Sequence, residues 1–416
     1  MFKSASNHTL PAMGLRQSIA TSPQAISIYF NQIVYDLRRK GEDVTTLSLG
    51  EAFFDIPIFD FYKLDYTKGY HYSDSQGLPE LRAKLASYYT KEYGATVDPD
   101  KELLISAGSK PLIFMAMLSV MEAGDEVIIH EPAWLSYPEQ ASLAGLTCGY
   151  IPFNCPVESF HKHFSSKTRM LIVNNPNNPA GKLYSRDELL SLYDQCRSRG
   201  IYVMVDEAYS DFVVDSSFTS MATVVPNKDG VIIVNSLSKN MGISGWRIGY
   251  IISSENVIQT VLKVNQHLIT CAPTILLQYC TKYFEEIISV TLPQVRDVVD
   301  KRKRVEKMIS DLGMVCLPGG TTFYFFVSIQ GYSGTSLEFS LSLLLEEKIS
   351  VVPGSAYGKS TDRFVRISIG TESEERIWEA LVVIRRHIEK HKYDQFSIES
   401  RLKAIDQKPL SEIQKQ

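Results

Sequence analysis

Residues 235–250, Asn-Ser-Leu-Ser-Lys-Asn-Met-Gly-Ile-Ser-Gly-Trp-Arg-Ile-Gly-Tyr, follow the apolar run Val231-Ile-Ile-Val234 and decide how the rest of the chain reads. Four β-branched residues without polar alternation predict a strand covered on both faces. The hydroxyl residues Ser236 and Ser238 then fall at the carboxyl end of a buried strand, where open α/β sheets collect their ligands. Hydroxyls and backbone amides there, with the guanidinium of Arg247, suit a phosphate ester. Lys239 stands beside that site. A Ser-x-x-Lys string alone reads as a surface amine or a plain phosphate counter-ion, so its neighbours in the chain must carry the argument.

Working outward, residues 76–285 alternate strand-like and helical patterns. The other short apolar runs are 103–106, 126–130, 170–173, 202–205 and 249–252. Between them, 78–89 carries Leu78, Leu81, Leu85 and Tyr88 on one stripe, and 186–199 opens with the capping box Ser185-x-x-Glu188. The alternation predicts a mostly parallel sheet wrapped in helices. Beyond about residue 290 the order changes to a long helix (294–312), a strand (323–328), a helix (337–347), strands 350–352 and 364–369, and a helix over 374–391. That is a smaller α+β lobe, joined by residues 22–49 because chain ends commonly lie together. The expected division is an N-terminal arm 1–21, a small domain 22–49 with 290–391, a large domain 50–289 and a polar tail 392–416, read as a weak helix or a mobile tail.

The chain has 416 residues, 44% hydrophobic and 22% charged, with a net charge of −4. Two cores are affordable, and neither nucleic acid nor an anionic membrane is an expected partner. The basic run Lys301–Arg304 lies in an amphipathic helical pattern and reads as a solvated helix face. Six cysteines are scattered without a C-x-x-C pair or ligand-spaced histidines, which predicts no metal and a reduced, cytoplasmic chain. No apolar run reaches the ~18 residues of a membrane span, and residues 1–16 lack the apolar middle of a signal peptide.

Three further segments stand with Lys239. Val205-Asp206-Glu207-Ala208-Tyr209 puts a carboxylate at an apolar strand end, which is costly without a positive partner. Asn174-Asn-Pro-Asn-Asn178-Pro179-Ala180-Gly181 is a turn after another strand, and Ser106-Ala-Gly108-Ser109-Lys110 is a glycine turn before an apolar helix, whose free amides favour an anion. The glycine spacing is not that of a P-loop.

Together these motifs resemble the class I/II aminotransferases of pyridoxal-5'-phosphate (PLP) fold type I, in order from about residue 22 to 391. The resemblance implies an α/β fold: a large domain with a mostly parallel seven-stranded sheet between helices, plus a smaller α+β domain. It implies that Lys239 holds the cofactor aldehyde as an imine and then moves the substrate proton. Asp206 would pair with the pyridine nitrogen, and Asn178 and Tyr209 would bind the ring hydroxyl oxygen. Ser236, Ser238, Arg247, Gly108, Ser109 and Lys110 would hold the phosphate, Trp134 would stack on the ring, and Tyr72 would reach the phosphate of a neighbouring subunit in a homodimer with shared active sites. Arg366, in Arg363-Phe-Val-Arg-Ile-Ser368, matches the arginine that grips the α-carboxylate, and Gly50 the glycine beside it. Lys110 resembles a lysine that contacts a distal carboxylate in one bacterial subgroup. The implied activity is ping-pong transamination between an L-amino acid, aspartate or glutamate for instance, and a 2-oxo acid. Tyr72, Trp134, Phe53 and Phe54 leave aromatic substrates open. Departures fall on the substrate side: Ala180 stands where threonine is common, and Gly50-Glu51-Ala-Phe lacks the usual proline. A C–S β-lyase or an aminocyclopropane-carboxylate-synthase-like enzyme on the same cofactor shell is the alternative, and a non-catalytic regulator on this fold is a further one.

Overall fold

The computed structural model describes residues 14–15, 19, 24–213, 218–389, 394–405 and 407–413. Most of the expected arm 1–21, residues 22–23, and the end of the helix expected to reach 391 lie outside the described residues.

Seven strands form the main sheet: β1 (Leu103–Ser106), β2 (Glu126–His130), β3 (Thr147–Ile151), β4 (Thr168–Asn174), β5 (Tyr202–Asp206), β6 (Val231–Ser236) and β7 (Gly249–Ser253). Their order is β1-β7-β6-β5-β4-β2-β3, with β7 antiparallel to both neighbours and the remaining pairs parallel. All six residues of β6 are buried, as expected of a strand covered on both faces. In β4, β5 and β6 the even-numbered residues, such as Met204 and Ile232, belong to one apolar layer and the odd-numbered ones, such as Val203 and Ile233, to the other. β3 carries no apolar run and was not legible in the sequence; it is the sheet edge, with Thr147 exposed and Cys148, Gly149 and Tyr150 half-buried.

Local signals set the helix ends. The Ser185/Glu188 capping box opens Arg186–Arg197, and a second one, Thr335/Glu338, opens Ser336–Glu347. The helix expected over 294–312 runs from Phe284 to Asp311 with Pro293 inside. Proline reads as a boundary, but Phe284, Ile287 and Thr291 are buried and anchor the preceding turns.

A second sheet holds β8 (Tyr324–Ser328), β9 (Val352–Pro353) and β10 (Phe364–Ser368), antiparallel in the order β9-β10-β8. The strand expected at 350–352 is divided: Ile349–Ser350 pairs with Thr45–Thr46, and Val352–Pro353 pairs with β10. One reading is corrected here. Arg302, in the supposedly solvated run, is 2% exposed and donates to the carbonyls of Thr321 (2.9 Å) and Gly319 (2.5 Å). Of the two alternatives for the polar C-terminal segment the helix is the one formed, Gln395–Ala404, whose Ile398 and Leu402 are buried with Phe30, Ile33 and Leu344. Sparse apolar positions suffice when they share one face. Among the described residues, no helix is long and apolar enough to cross a membrane.

Candidate active site

The carboxyl ends of β4, β5 and β6 bring Asn174, Asp206 and Ser236 to one edge of the main sheet. At the same edge β7 begins, with Gly249 opposite both Ser106 and Ser236. A cavity of about 490 Å³ opens there, and Lys239, Asp206, Tyr209 and Asn178 are among the residues that line it. Lys239 Nζ donates to the Gly50 carbonyl at 2.6 Å and lies 5.7 Å from the centre of the Tyr209 ring. Burial pushes its amine down to about 8, Arg366 and Arg247 act in the same direction, and Glu51 and Asp206 oppose them. Asp206 accepts from Tyr137 Oη at 2.7 Å and from the Ala208 amide at 3.1 Å. Burial raises its carboxyl, and those two hydrogen bonds pull it back. The Tyr209 hydroxyl meets Asn178 Nδ2 at 3.4 Å and the Tyr324 hydroxyl at 2.9 Å.

Ser109, Ser236, Ser238 and Arg247 line the same cavity. Ser109 opens the twelve-residue helix Ser109–Val120, so free amides face the cavity's end. Gly108 packs directly on Arg247: a Cβ there would lie 2.6 Å from Arg247 Nη2. Lys110 Nζ sits 5.0 Å from the Trp134 ring, and its amine is lowered by burial and by Arg247. Arg366 lies beyond Asn178: its Nη1 donates to Asn178 Oδ1 at 3.2 Å and its Nη2 to the Ser48 carbonyl at 2.6 Å. The guanidinium is 4.5 Å from the Tyr324 ring centre and 5.5 Å from that of Tyr357. Arg363 is directed elsewhere, donating to the carbonyls of Gly334 (2.9 Å) and Tyr332 (2.6 Å). Tyr72 is 84% exposed and outside the cavity of its own chain.

A family model described as aminotransferase class I and II matches residues 63–384. The chain belongs to that family. The aminotransferase is 32% identical over 354 residues to the aspartate aminotransferase of Thermotoga maritima, covering 83% of this chain and 91% of that one. It is 30% identical over 353 residues to the aromatic-amino-acid aminotransferase 2 of Thermococcus litoralis, covering 82% and 91%. Among solved structures, an aspartate aminotransferase from Thermotoga maritima superposes with a TM-score of 0.79 at 30% identity, over 89% of this chain and 99% of that one. The relatives favour transamination over the lyase alternative, and the regulator reading is set aside: the protein is an enzyme of PLP fold type I that uses pyridoxal phosphate, with amino and 2-oxo acids as substrates.

The aminotransferase's own residues fit that cofactor. None of the ion pairs among the described residues involves Lys110, Lys239 or Arg247, which line the cavity, or Arg366, which lies behind Asn178, so these cationic groups have no carboxylate partners there, as a phosphate and a carboxylate require. Arg366 Nε is buried and has no hydrogen-bond partner among the described residues. Asp206 is the converse, a buried carboxylate with hydroxyl and amide donors and room for a cation. Sequence reasoning missed Tyr137, Tyr324, Glu51 and Ser244. Glu51 and Ser244 line the cavity, joined by a 2.7 Å hydrogen bond from Ser244 Oγ. Glu51 directly follows Gly50 and Ser244 lies between Lys239 and Arg247, which offered signals; Tyr137, between Ser136 and Pro138, and Tyr324, in an apolar run, offered none.

Proposed function

We propose that this aminotransferase moves an amino group between a dicarboxylic amino acid and a 2-oxo acid, with Lys239 carrying the proton, Arg366 binding the α-carboxylate and Lys110 the distal one. The observation that carries the reading is the Lys239 amine, brought down to about 8 inside a cavity that Lys110 and Arg247 also line, neither of them in an ion pair among the described residues. Bound pyridoxal phosphate supplies an aldehyde that condenses with amines and a ring that withdraws electrons from the substrate's α-carbon.

The chain's own residues divide the remaining work. Asp206, oriented by Tyr137 and the Ala208 amide, holds a proton on a ring nitrogen. Asn178 and Tyr209 meet each other and offer their polar atoms to a ring oxygen. Ser109, Ser236, Ser238 and Arg247 hold the phosphate, with Trp134 as the ring's platform. Lys239 Nζ, neutral above about pH 8, would take one proton from the substrate's α-carbon and deliver it to the carbon that the cofactor aldehyde contributes. Arg366 offers its Nε and the outer edges of its fork to a planar carboxylate. Lys110 supports the dicarboxylic choice because it is a cation at the cavity wall without an acidic partner among the described residues. The aromatic candidates support it less: Phe54 stacks on Phe212 with centres 6.4 Å apart, and Phe53 is 66% exposed.

The same reading makes the active unit a homodimer in the cytoplasm. Tyr72, Tyr70, Tyr62 and Ile58 are all exposed on one stretch of chain, a surface suited to burial against a second copy and to delivering Tyr72 to its site. A panel of amino acids mixed with the holoenzyme, followed by loss of its visible absorbance, tests the substrate class. Aspartate and glutamate should react fastest; faster reaction with phenylalanine or tyrosine would refute it.

A further inference from the structure

The turn after β2 touches both sides of the Arg366 pocket. Glu131, 1% exposed, accepts from the Lys359 amide at 2.5 Å, from the Ser360 amide at 3.1 Å and from the Ser360 hydroxyl. The Ala133 amide donates to the Tyr357 carbonyl at 2.8 Å. These bonds tie the loop at 357–360, which belongs with the second sheet, to the end of the first. Tyr357 is the aromatic whose ring lies 5.5 Å from the Arg366 guanidinium, and its ring also packs edge-on against Phe326 at 5.7 Å. On the other flank, Asn177 Nδ2 donates to the Pro132 carbonyl at 3.0 Å, and the next residue, Asn178, accepts from Arg366 Nη1. One short turn thus anchors both neighbours of the arginine, and Trp134 follows it directly.

The fit around the Glu131 carboxylate is close. Gly358 adopts φ +151°, and a Cβ there would stand 2.6 Å from the Glu131 carboxyl carbon. The carboxylate receives three donors and no cation at ion-pair distance among the described residues. Such hydrogen bonds to an ionised group are short, directional and geometrically demanding. A carboxamide could accept at only one of its two positions and would oppose an N–H donor at the other.

We propose that Glu131 is a positioning residue for substrate binding: by clamping the 357–360 loop it sets the Tyr357 ring against Arg366 and so fixes the fork that receives the α-carboxylate. The proposal rests on the reading of Arg366 given above.

The test uses holoenzyme and single-turnover absorbance with two substrates, glutamate and its decarboxylated amine, which lacks the group Arg366 receives. In Glu131→Gln the ratio of glutamate to amine efficiency should fall about tenfold, chiefly through weaker apparent binding of glutamate, with the limiting rate within about twofold. Gly358→Ala approaches the same contact from the loop side and should lower the ratio as well. Arg366→Lys serves as the control for the underlying reading. If Arg366→Lys leaves the ratio unchanged, the assignment of Arg366 fails. If Arg366→Lys lowers it while Glu131→Gln and Gly358→Ala do not, or if these two slow both substrates equally, the positioning role is overturned and Glu131 only stabilises the fold.

Discussion

Lys239 and Gly50, 189 positions apart, are joined by a hydrogen bond of 2.6 Å from Nζ to the carbonyl oxygen. Two residues earlier the Ser48 carbonyl accepts from Arg366 Nη2, also at 2.6 Å. Two carbonyls of one short stretch, 48–50, thus hold the amine and the guanidinium, and the stretch acts as a spacer between them. That spacing matters for a substrate whose α-carbon and carboxylate are one bond apart. The arrangement also explains why a glycine stands there: a Cβ at residue 50 would meet the Tyr324 hydroxyl at 3.3 Å.

Replacing Lys239 by alanine should remove proton transfer while leaving the phosphate residues Ser109, Ser236, Ser238 and Arg247 in place. Single-turnover rates are expected to fall at least about 100-fold and as much as ~10⁴-fold. Equilibrium dialysis should still find pyridoxal phosphate bound. Undiminished turnover would remove Lys239 from the chemistry.

The lowered amine gives a pH dependence whose sign is fixed. Only the neutral amine attacks an aldehyde, and with a pKa of about 8 instead of 10.5 roughly a tenth of Lys239 is neutral at pH 7. Capture of pyridoxal phosphate by the apo chain, followed by stopped-flow absorbance, should therefore accelerate with rising pH and level off above about 8. A rate still climbing near pH 10 would mean that burial does not perturb this amine.

Lys110→Ala tests the distal carboxylate site. Loss of a hydrogen bond to a charged group, about 1.5–3 kcal/mol, predicts a fall of roughly ten- to a hundredfold in kcat/KM for aspartate or glutamate. Alanine as donor should change less than about threefold. Equal losses for both donors would assign Lys110 to the phosphate alone.

Arg302 makes a stability prediction independent of the chemistry. Arg302→Met strands the Thr321 and Gly319 carbonyls that the guanidinium now satisfies, at a cost of about 2–5 kcal/mol. The midpoint of urea unfolding should fall accordingly. A change below about 0.5 kcal/mol would support the solvated-face reading of residues 301–304 after all.

Local pattern determined a good part of this protein. The six apolar runs read as strands are β1, β2, β4, β5, β6 and β7, within a residue or two at each end, because burial on both faces leaves a continuous β-branched signature. Asp206, Ser236 and Arg247 sit next to those runs and stood out by position, Lys239 and Asn178 were assigned through the resemblance of the combined motifs, and the fold gathers all five at one cavity. Tertiary structure decided what pattern cannot carry. Tyr137 reaches Asp206 across 69 positions, Tyr324 reaches Tyr209 across 115, and Ser244 reaches Glu51 across 193. Arg302 lies in a basic run yet is buried, and β3 is a strand because β2 pairs with it. Hydropathy and periodicity record what a residue's own segment buries; which partner a hydroxyl, carboxylate or guanidinium meets depends on how distant segments register, and only the packed chain sets that.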